Sequence, residues 1–342
     1  MIVRTRITVL AAVAAIGLTG CGSSGGGSAA GDNSAAAGQT SAADTATRQV
    51  KADNGTITIP AHPKRVVATG YAVPALLEGK APLVGISTWT RALDIMSPQV
   101  KKRYDATTKI GGDQAKETNY EAIAKVKPDL IVIGVPKVVL GQIDVKRLET
   151  IAPVVALGPT IPSAWRDLSK RQMDVAGVSA AYQAAKTAYD TKAAALTKKY
   201  AGVLGDLKFG HIGAYGEPGK GNFQREYAGS WGTNIPEDIG VTYYGHVKKK
   251  GGGAADVSEY PALEELPESL QDADAITYTV NDDGSLPDPV KYVMNSSLWK
   301  TLPAVKNHMT FPVRHSEAAT YTEALLTLQA LDKAFTPLLE KK

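Results

Sequence analysis

The chain has 342 residues, 44% of them hydrophobic and 21% charged, proportions of a folded globular protein and not of a disordered or multi-span membrane chain. A formal charge of only +4 makes no electrostatic case for nucleic acid. The single cysteine, Cys21, excludes an internal disulfide framework, a thiolate metal cage and a CxxC redox pair.

Arg4 and Arg6 precede an apolar run over residues 7–18 that only Thr8 and Gly17 interrupt. A basic flank and a core too short to span a bilayer predict a signal peptide over 1–20. Leu18, Thr19, Gly20 and Cys21 resemble the lipobox of bacterial lipoproteins. That resemblance implies cleavage before Cys21, lipid attachment to it, and a place on the outer face of the bacterial cytoplasmic membrane. Two acyl chains hold a membrane where one binds only marginally. Residues 21–48 are rich in Gly, Ser, Ala, Thr and Asp, with no aromatic and no leucine, and read as a flexible tether of about 30 Å as a coil.

The body then alternates short apolar runs with helical patterns, which predicts an α/β fold. Strands are expected at 65–68, 83–86, 130–134 and 154–157, with helices at 73–78 and 120–127, the second ended by Pro128. Together they make an N-terminal lobe over 49–161. A helical connection follows over 162–204. Within it Val178, Tyr182, Ala185, Tyr189, Ala193, Leu196 and Tyr200 recur at steps of three and four, giving one apolar stripe. About 22 residues extend roughly 33 Å, enough to run from one lobe to another. A C-terminal lobe over 205–342 is expected from strands at 209–213, 273–280 and 309–313, with helices near 262–270 and 317–339. Lys248, Lys249 and Lys250 before Gly251, Gly252 and Gly253 mark a basic surface loop.

Catalytic motifs fail on context. Gly22, Ser24 and Gly26 satisfy GxSxG, but lie in the tether, where no strand and helix can form a nucleophile elbow. Gly213 to Lys220 has the wrong spacing for a phosphate loop, and Gly221 replaces its Ser or Thr. His62, His211, His246, His308 and His315 are scattered without ligand spacing and are expected at the surface or at strand ends; His315, beside Arg314, is placed to reach a cleft.

Five stretches carry a family likeness: 63–67 (PKRVV), 81–86 (APLVGI), 119–133 (NYEAIAKVKPDLIVI), 151–155 (IAPVV) and 299–306 (WKTLPAVK). They resemble, in order and in both lobes, the ferric-siderophore and cobalamin binding proteins of ABC importers. The resemblance implies two Rossmann-like lobes joined by one long α-helix, a ligand in the shallow cleft between them, and delivery to a permease dimer with its ATPases. It implies a monomer without cofactor, in which iron enters only as part of the ferric siderophore. It also implies one docking glutamate on each lobe, Glu121 before KPDLIVI and Glu264 within LEELP, with Glu259 and Glu265 close enough to compete for the second role.

The 14 tyrosines and 4 tryptophans against 4 phenylalanines favour a bulky ligand that is partly apolar and partly polar, as ferric hydroxamates are. Open α/β sheets place their sites at the carboxyl ends of strands. The ligand candidates on that rule are Tyr71, Trp89 and Arg91 in the first lobe, and Tyr215, Phe223, Tyr227, Trp231 and Arg314 in the second. Arg91 falls approximately where hydroxamate binders of the family carry an arginine, whose forked donors suit chelate oxygens. The alternatives are cobalamin, haem or a ferric catecholate; the last would need several of Arg91, Arg225, Arg314 and Lys248 to Lys250 to converge. An extracytoplasmic enzyme on the same lobes is a remoter alternative, since no nucleophile with a base and no metal motif appears.

Overall fold

The computed structural model describes residues 46–340; the leader, Cys21 and most of the tether lie outside the described residues. The described chain begins with a hairpin that its composition does not announce. β1 (Thr47–Ala52) pairs antiparallel with β2 (Gly55–Pro60), so Thr47 and Arg48, read above as tether, are strand. The hairpin turn clasps the first lobe: Asn54 Oδ1 accepts from Ala156 N and Asp53 Oδ2 from Gly158 N, both at 2.9 Å.

β3 (Val66–Gly70), β4 (Leu83–Ile86), β5 (Leu130–Gly134) and β6 (Val154–Ala156) form a parallel sheet in the order β4-β3-β5-β6. β3, β5 and β6 are buried along their whole length, which is why they read as unbroken apolar runs. Their side chains alternate between two cores. Val66, Ala68, Leu130, Val132 and Val155 pack with Leu76 and Leu77 of the helix Ala72–Glu78. Val67, Ile131, Ile133, Val154 and Ala156 pack with Ile123 and Leu148 on the other face.

The second lobe holds β7 (Lys208–Gly213), β8 (Gln224–Glu226), β9 (Thr242–Tyr243), β10 (Ser258–Glu259), β11 (Ala275–Thr279) and β12 (Thr310–Val313). Their order is β10-β8-β7-β11-β12, with β9 also on β7. β7, β11 and β12 run parallel, whereas β8 is antiparallel to β7 and β10 to β8.

The long helix Ser179–Tyr200 buries Tyr182, Tyr189, Ala193, Leu196 and Tyr200 against β7, β11, β12 and the helix Tyr321–Phe335. Asp332 fixes the two helices together, accepting from Lys199 Nζ at 2.6 Å, Lys192 Nζ at 2.9 Å and Tyr200 OH at 2.9 Å. The helix Trp165–Val175 packs on Ala72–Glu78 and reaches into the second lobe. Trp165 Nε1 donates to Asn234 Oδ1 at 2.9 Å, and Arg166 pairs with Asp238 at 2.5 Å. The lobes also touch directly. Thr322 Oγ1 donates to Glu78 Oε1 at 2.8 Å, Ala75 packs into the second lobe's core, and Ala319 packs into the first lobe's.

Candidate ligand-binding site

β3 and β5 lie in register and both end in glycine, Gly70 and Gly134. Gly70 has φ +56°, and a Cβ there would stand 2.5 Å from the Gly134 carbonyl oxygen, so this close approach requires glycine. The chain then turns into the helix Ala72–Glu78 with Tyr71 at its N-cap, Tyr71 N donating to Gly134 O at 2.8 Å. Trp89 follows β4, its backbone N donating to Tyr104 OH at 3.1 Å. Its ring meets Tyr71 edge-on at 5.0 Å. Arg91 lies over both rings, 5.7 Å from Tyr71 and 5.9 Å from Trp89, and its Nη1 donates to Tyr71 OH at 3.1 Å.

The second lobe answers with Tyr215 after β7, Trp231 in a loop, and Glu317 four residues beyond β12. The Trp231 loop is pinned where Gly232 N donates to Glu226 Oε2 at 2.7 Å; a Cβ on Gly232 would stand 2.1 Å from His211 Nε2. Tyr215 and Trp231 pack at 5.4 Å. Tyr215 OH donates to Glu317 Oε1, and Glu317 Oε2 stands 3.9 Å from Arg91 Nη1. A continuous chain of contacts therefore crosses the cleft from Trp89 through Tyr71, Arg91, Glu317 and Tyr215 to Trp231.

Around this chain opens a cavity of about 260 Å³ lined by Tyr71, Trp89, Arg91, Trp231 and Glu317. Pro136, Val138 and Val139 after β5, Thr160 to Pro162 after β6, Trp165, Ala318, and Gly252 to Ala255 complete its wall. All four strands of the first sheet thus contribute at their carboxyl ends. Burial raises the Tyr71 hydroxyl above its ordinary value, opposed by Arg91. Burial and the Glu317 carboxylate raise Tyr215. Burial alone would lower Arg91, but Tyr71, Glu317 and Tyr215 hold it above its ordinary value. Burial raises Glu317, while Tyr215 and Arg91 pull it back.

Tyr71, Trp89, Arg91 and Trp231 line the cavity, and Tyr215 joins them through Glu317 and Trp231. Three other candidates lie elsewhere, which corrects the expectation for them. Phe223 is wholly buried with Ile212, Leu266 and Ile276 in the core of the second lobe, an apolar ring drawn under the sheet. Tyr227 is held by its hydroxyl on Glu259 and lies 4.7 Å beneath the Arg225 guanidinium, because it directly follows β8, whose antiparallel partner β10 carries Glu259. Arg314 turns back to donate its Nε to Asp282 O at 2.5 Å. Sequence reasoning missed Glu317, which the same strand-end rule could have found had it looked past Arg314. It also missed the wall after β5 and β6, and the glycine segment 252–253, read as basic surface loop.

His211, expected at the surface or a strand end, lies wholly inside β7 with its ring nitrogens on Thr277 Oγ1 at 2.8 Å and Thr279 Oγ1 at 3.1 Å. Burial, then Arg225, pushes it down to about 3, so it is neutral. Among the described residues no three His, Cys, Asp or Glu side chains are placed to hold a metal ion, and no helix is long and apolar enough to cross a membrane. Glu121 is exposed in the first turn of the helix Tyr120–Lys125. Of the three second-lobe glutamates, Glu265 pairs with Lys248 at 2.9 Å and Glu259 accepts from Tyr227 and from Lys248 N, whereas Glu264 is exposed.

Two α/β lobes, a connecting helix and an aromatic-walled cavity at converging strand ends define a solute-binding protein. The chain belongs to the periplasmic binding protein family, which it matches over residues 66–312. It is 29% identical over 273 residues to the Iron(3+)-hydroxamate-binding protein YxeB of Bacillus subtilis, covering 78% of each chain. Its identity to the Iron(3+)-hydroxamate-binding protein FhuD of the same organism is 29% over 279 residues, covering 78% of this chain and 80% of the relative. In fold it is similar to the siderophore periplasmic binding protein from the fuscachelin gene cluster of Thermobifida fusca. That likeness has a TM-score of 0.65 and 24% identity, and covers 83% of this chain and 99% of the other.

Proposed function

We propose that this protein captures a ferric siderophore of hydroxamate type outside the cytoplasm and hands it to an ABC permease dimer with its ATPases. The observation that carries this reading is the makeup of the cavity wall: aromatic and apolar, with a single guanidinium. Of the cations a catecholate would need, only Arg91 lines the cavity. Arg225 is wholly buried and donates to the carbonyls of Glu226 at 2.6 Å and Tyr244 at 3.2 Å. Arg314 is turned to Asp282, and Lys248 is paired with Glu265. One arginine flanked by Tyr71 suits the uncharged face of a hydroxamate complex, whose oxygens accept hydrogen bonds around iron. The names of the relatives YxeB and FhuD agree with it. Iron is cargo here, carried inside its chelator, and the protein acts as a monomer.

Membership in an extracytoplasmic family supports the finer reading that Cys21 is lipidated and holds the body at the outer face of the cytoplasmic membrane. Exposed Glu121 and Glu264 are the permease-docking residues of this reading. The test of the ligand is quenching of intrinsic tryptophan fluorescence by ferric hydroxamates, ferric catecholates, haem and cobalamin, since Trp89, Trp165 and Trp231 all line the cavity. Saturable quenching is expected to be tightest for a ferric hydroxamate. Tighter binding of haem or cobalamin would replace this reading.

A further inference from the structure

Resting on the reading of the site as a ferric-chelate pocket, we propose that Glu317 sets the charge of the chelate that the site accepts. The cavity at the strand ends has eighteen lining residues and only two carry charge: Arg91 from the first lobe and Glu317 from the second. They are of opposite sign and stand 3.9 Å apart. The wall that receives the ligand therefore has no net formal charge.

Glu317 is not needed to hold an element together. It lies on a loop after β12, a quarter of its side chain is exposed (25%), and its hydrogen-bond and ion-pair partners, Tyr215 and Arg91, are both cleft residues. A carboxylate in an otherwise apolar wall acts on whatever enters it. Without it, Arg91 would present an uncompensated positive charge in a site of low dielectric, and an anionic chelate would be drawn in. With it, any ligand reaching for the donors of Arg91 meets a negative charge beside them. An uncharged ferric trihydroxamate tolerates that neighbour, whereas a trianionic tris-catecholate is repelled, because like charges brought together while shedding water oppose binding strongly. Discrimination by a repulsive group is a general route to specificity.

The experiment measures dissociation constants from neutral to alkaline pH, because burial raises the Glu317 carboxyl and higher pH favours its ionised form. The two probes are ferrioxamine E, a neutral trihydroxamate, and ferric enterobactin, a trianionic tris-catecholate. The proteins are the wild type, Glu317→Gln, Glu317→Asp and Arg91→Gln, with folding checked by circular dichroism. The readout is the ratio of the two constants within each protein, which cancels any general damage to the site. Glu317→Gln is expected to shift the ratio toward the anionic chelate by about tenfold or more. Glu317→Asp is expected to keep the wild-type ratio, and Arg91→Gln to shift it further toward the neutral chelate. An unchanged ratio in Glu317→Gln, or equal loss for both probes, overturns the proposal and leaves Glu317 as a prop for Tyr215. Should Glu317→Gln fail to fold, Arg91→Gln decides alone, and no shift there overturns the proposal. A wild type that prefers ferric enterobactin sinks the hydroxamate reading by itself, while the change between wild type and variants still reports on Glu317.

Discussion

Trp89 and Trp231 stand at the two ends of the contact chain across the cleft, but they are anchored differently. Trp89 is 4% exposed and belongs to the first lobe's core, whereas Trp231 keeps part of its ring accessible and touches Tyr215. Trp231→Ala is therefore expected to weaken ligand binding about thirtyfold, or about 2 kcal/mol, with little change in thermal midpoint. Trp89→Ala is expected to lower stability by about 3 kcal/mol as well, the usual result of emptying a buried aromatic site. Calorimetric titration paired with thermal unfolding separates the two; equal destabilisation by both variants would contradict it. The residues that were legible in advance, Tyr71, Trp89 and Arg91, follow directly from strands that end where the apolar run ends. Phe223 and Tyr227 were not, because a loop rich in glycine does not reveal which of its aromatic rings turns into the core. Arg314 against Glu317 makes the same point: nearness to a strand end is visible in the sequence, and side-chain direction is not.

At the scale of elements, strands buried on both faces and the stripe of the long helix were plain, since burial leaves a periodic mark. β8 was hidden for the opposite reason. Its residues, Gln224, Arg225 and Glu226, are wholly buried yet polar, and several of their polar atoms pair with backbone groups that only the fold supplies. Strand β1 alternates half-buried with exposed residues and so resembles the polar segment before it. The pairing of the long helix with Tyr321–Phe335 through Asp332 gives a quantitative expectation. Burial would raise Asp332, but hydrogen bonds from Lys199, Lys192 and Tyr200 hold it at about 2, below its ordinary value of 3.8. A depressed carboxylate contributes stability above its unfolded value and loses it as pH falls through the folded one. Asp332→Asn is expected to cost about 1 kcal/mol at neutral pH, since the site is partly solvated. The gap between variant and wild type should close as pH falls from 3.8 toward about 2. Urea midpoints across that range check it; a gap independent of pH would remove the ion pairs from the account.

For the whole molecule, the proposed steps of capture, anchoring and delivery are expected to be separable. If Cys21 carries the proposed lipid, Cys21→Ser is expected to move the body from the membrane fraction to the medium with its affinity intact, because Cys21 precedes the folded lobes in the sequence. Glu121→Lys combined with Glu264→Lys is expected to leave affinity in solution unchanged and to abolish uptake by cells, since an interface built on one sign of charge fails when that sign is inverted. Normal uptake by the double variant would remove both glutamates from the docking surface. Loss of affinity together with uptake would place them in the fold instead.

The direct fastening of the lobes, Thr322 to Glu78, Ala75 and Ala319 each in the other lobe's core, and Arg166 to Asp238, bears on the two ends of the transport cycle unequally. A receptor that stands ready needs no work to close around its cargo, so arrival is an exchange of water for ligand at a standing surface. Departure is the harder half. Parting the halves would first have to break these contacts, so release is expected to demand more work than capture.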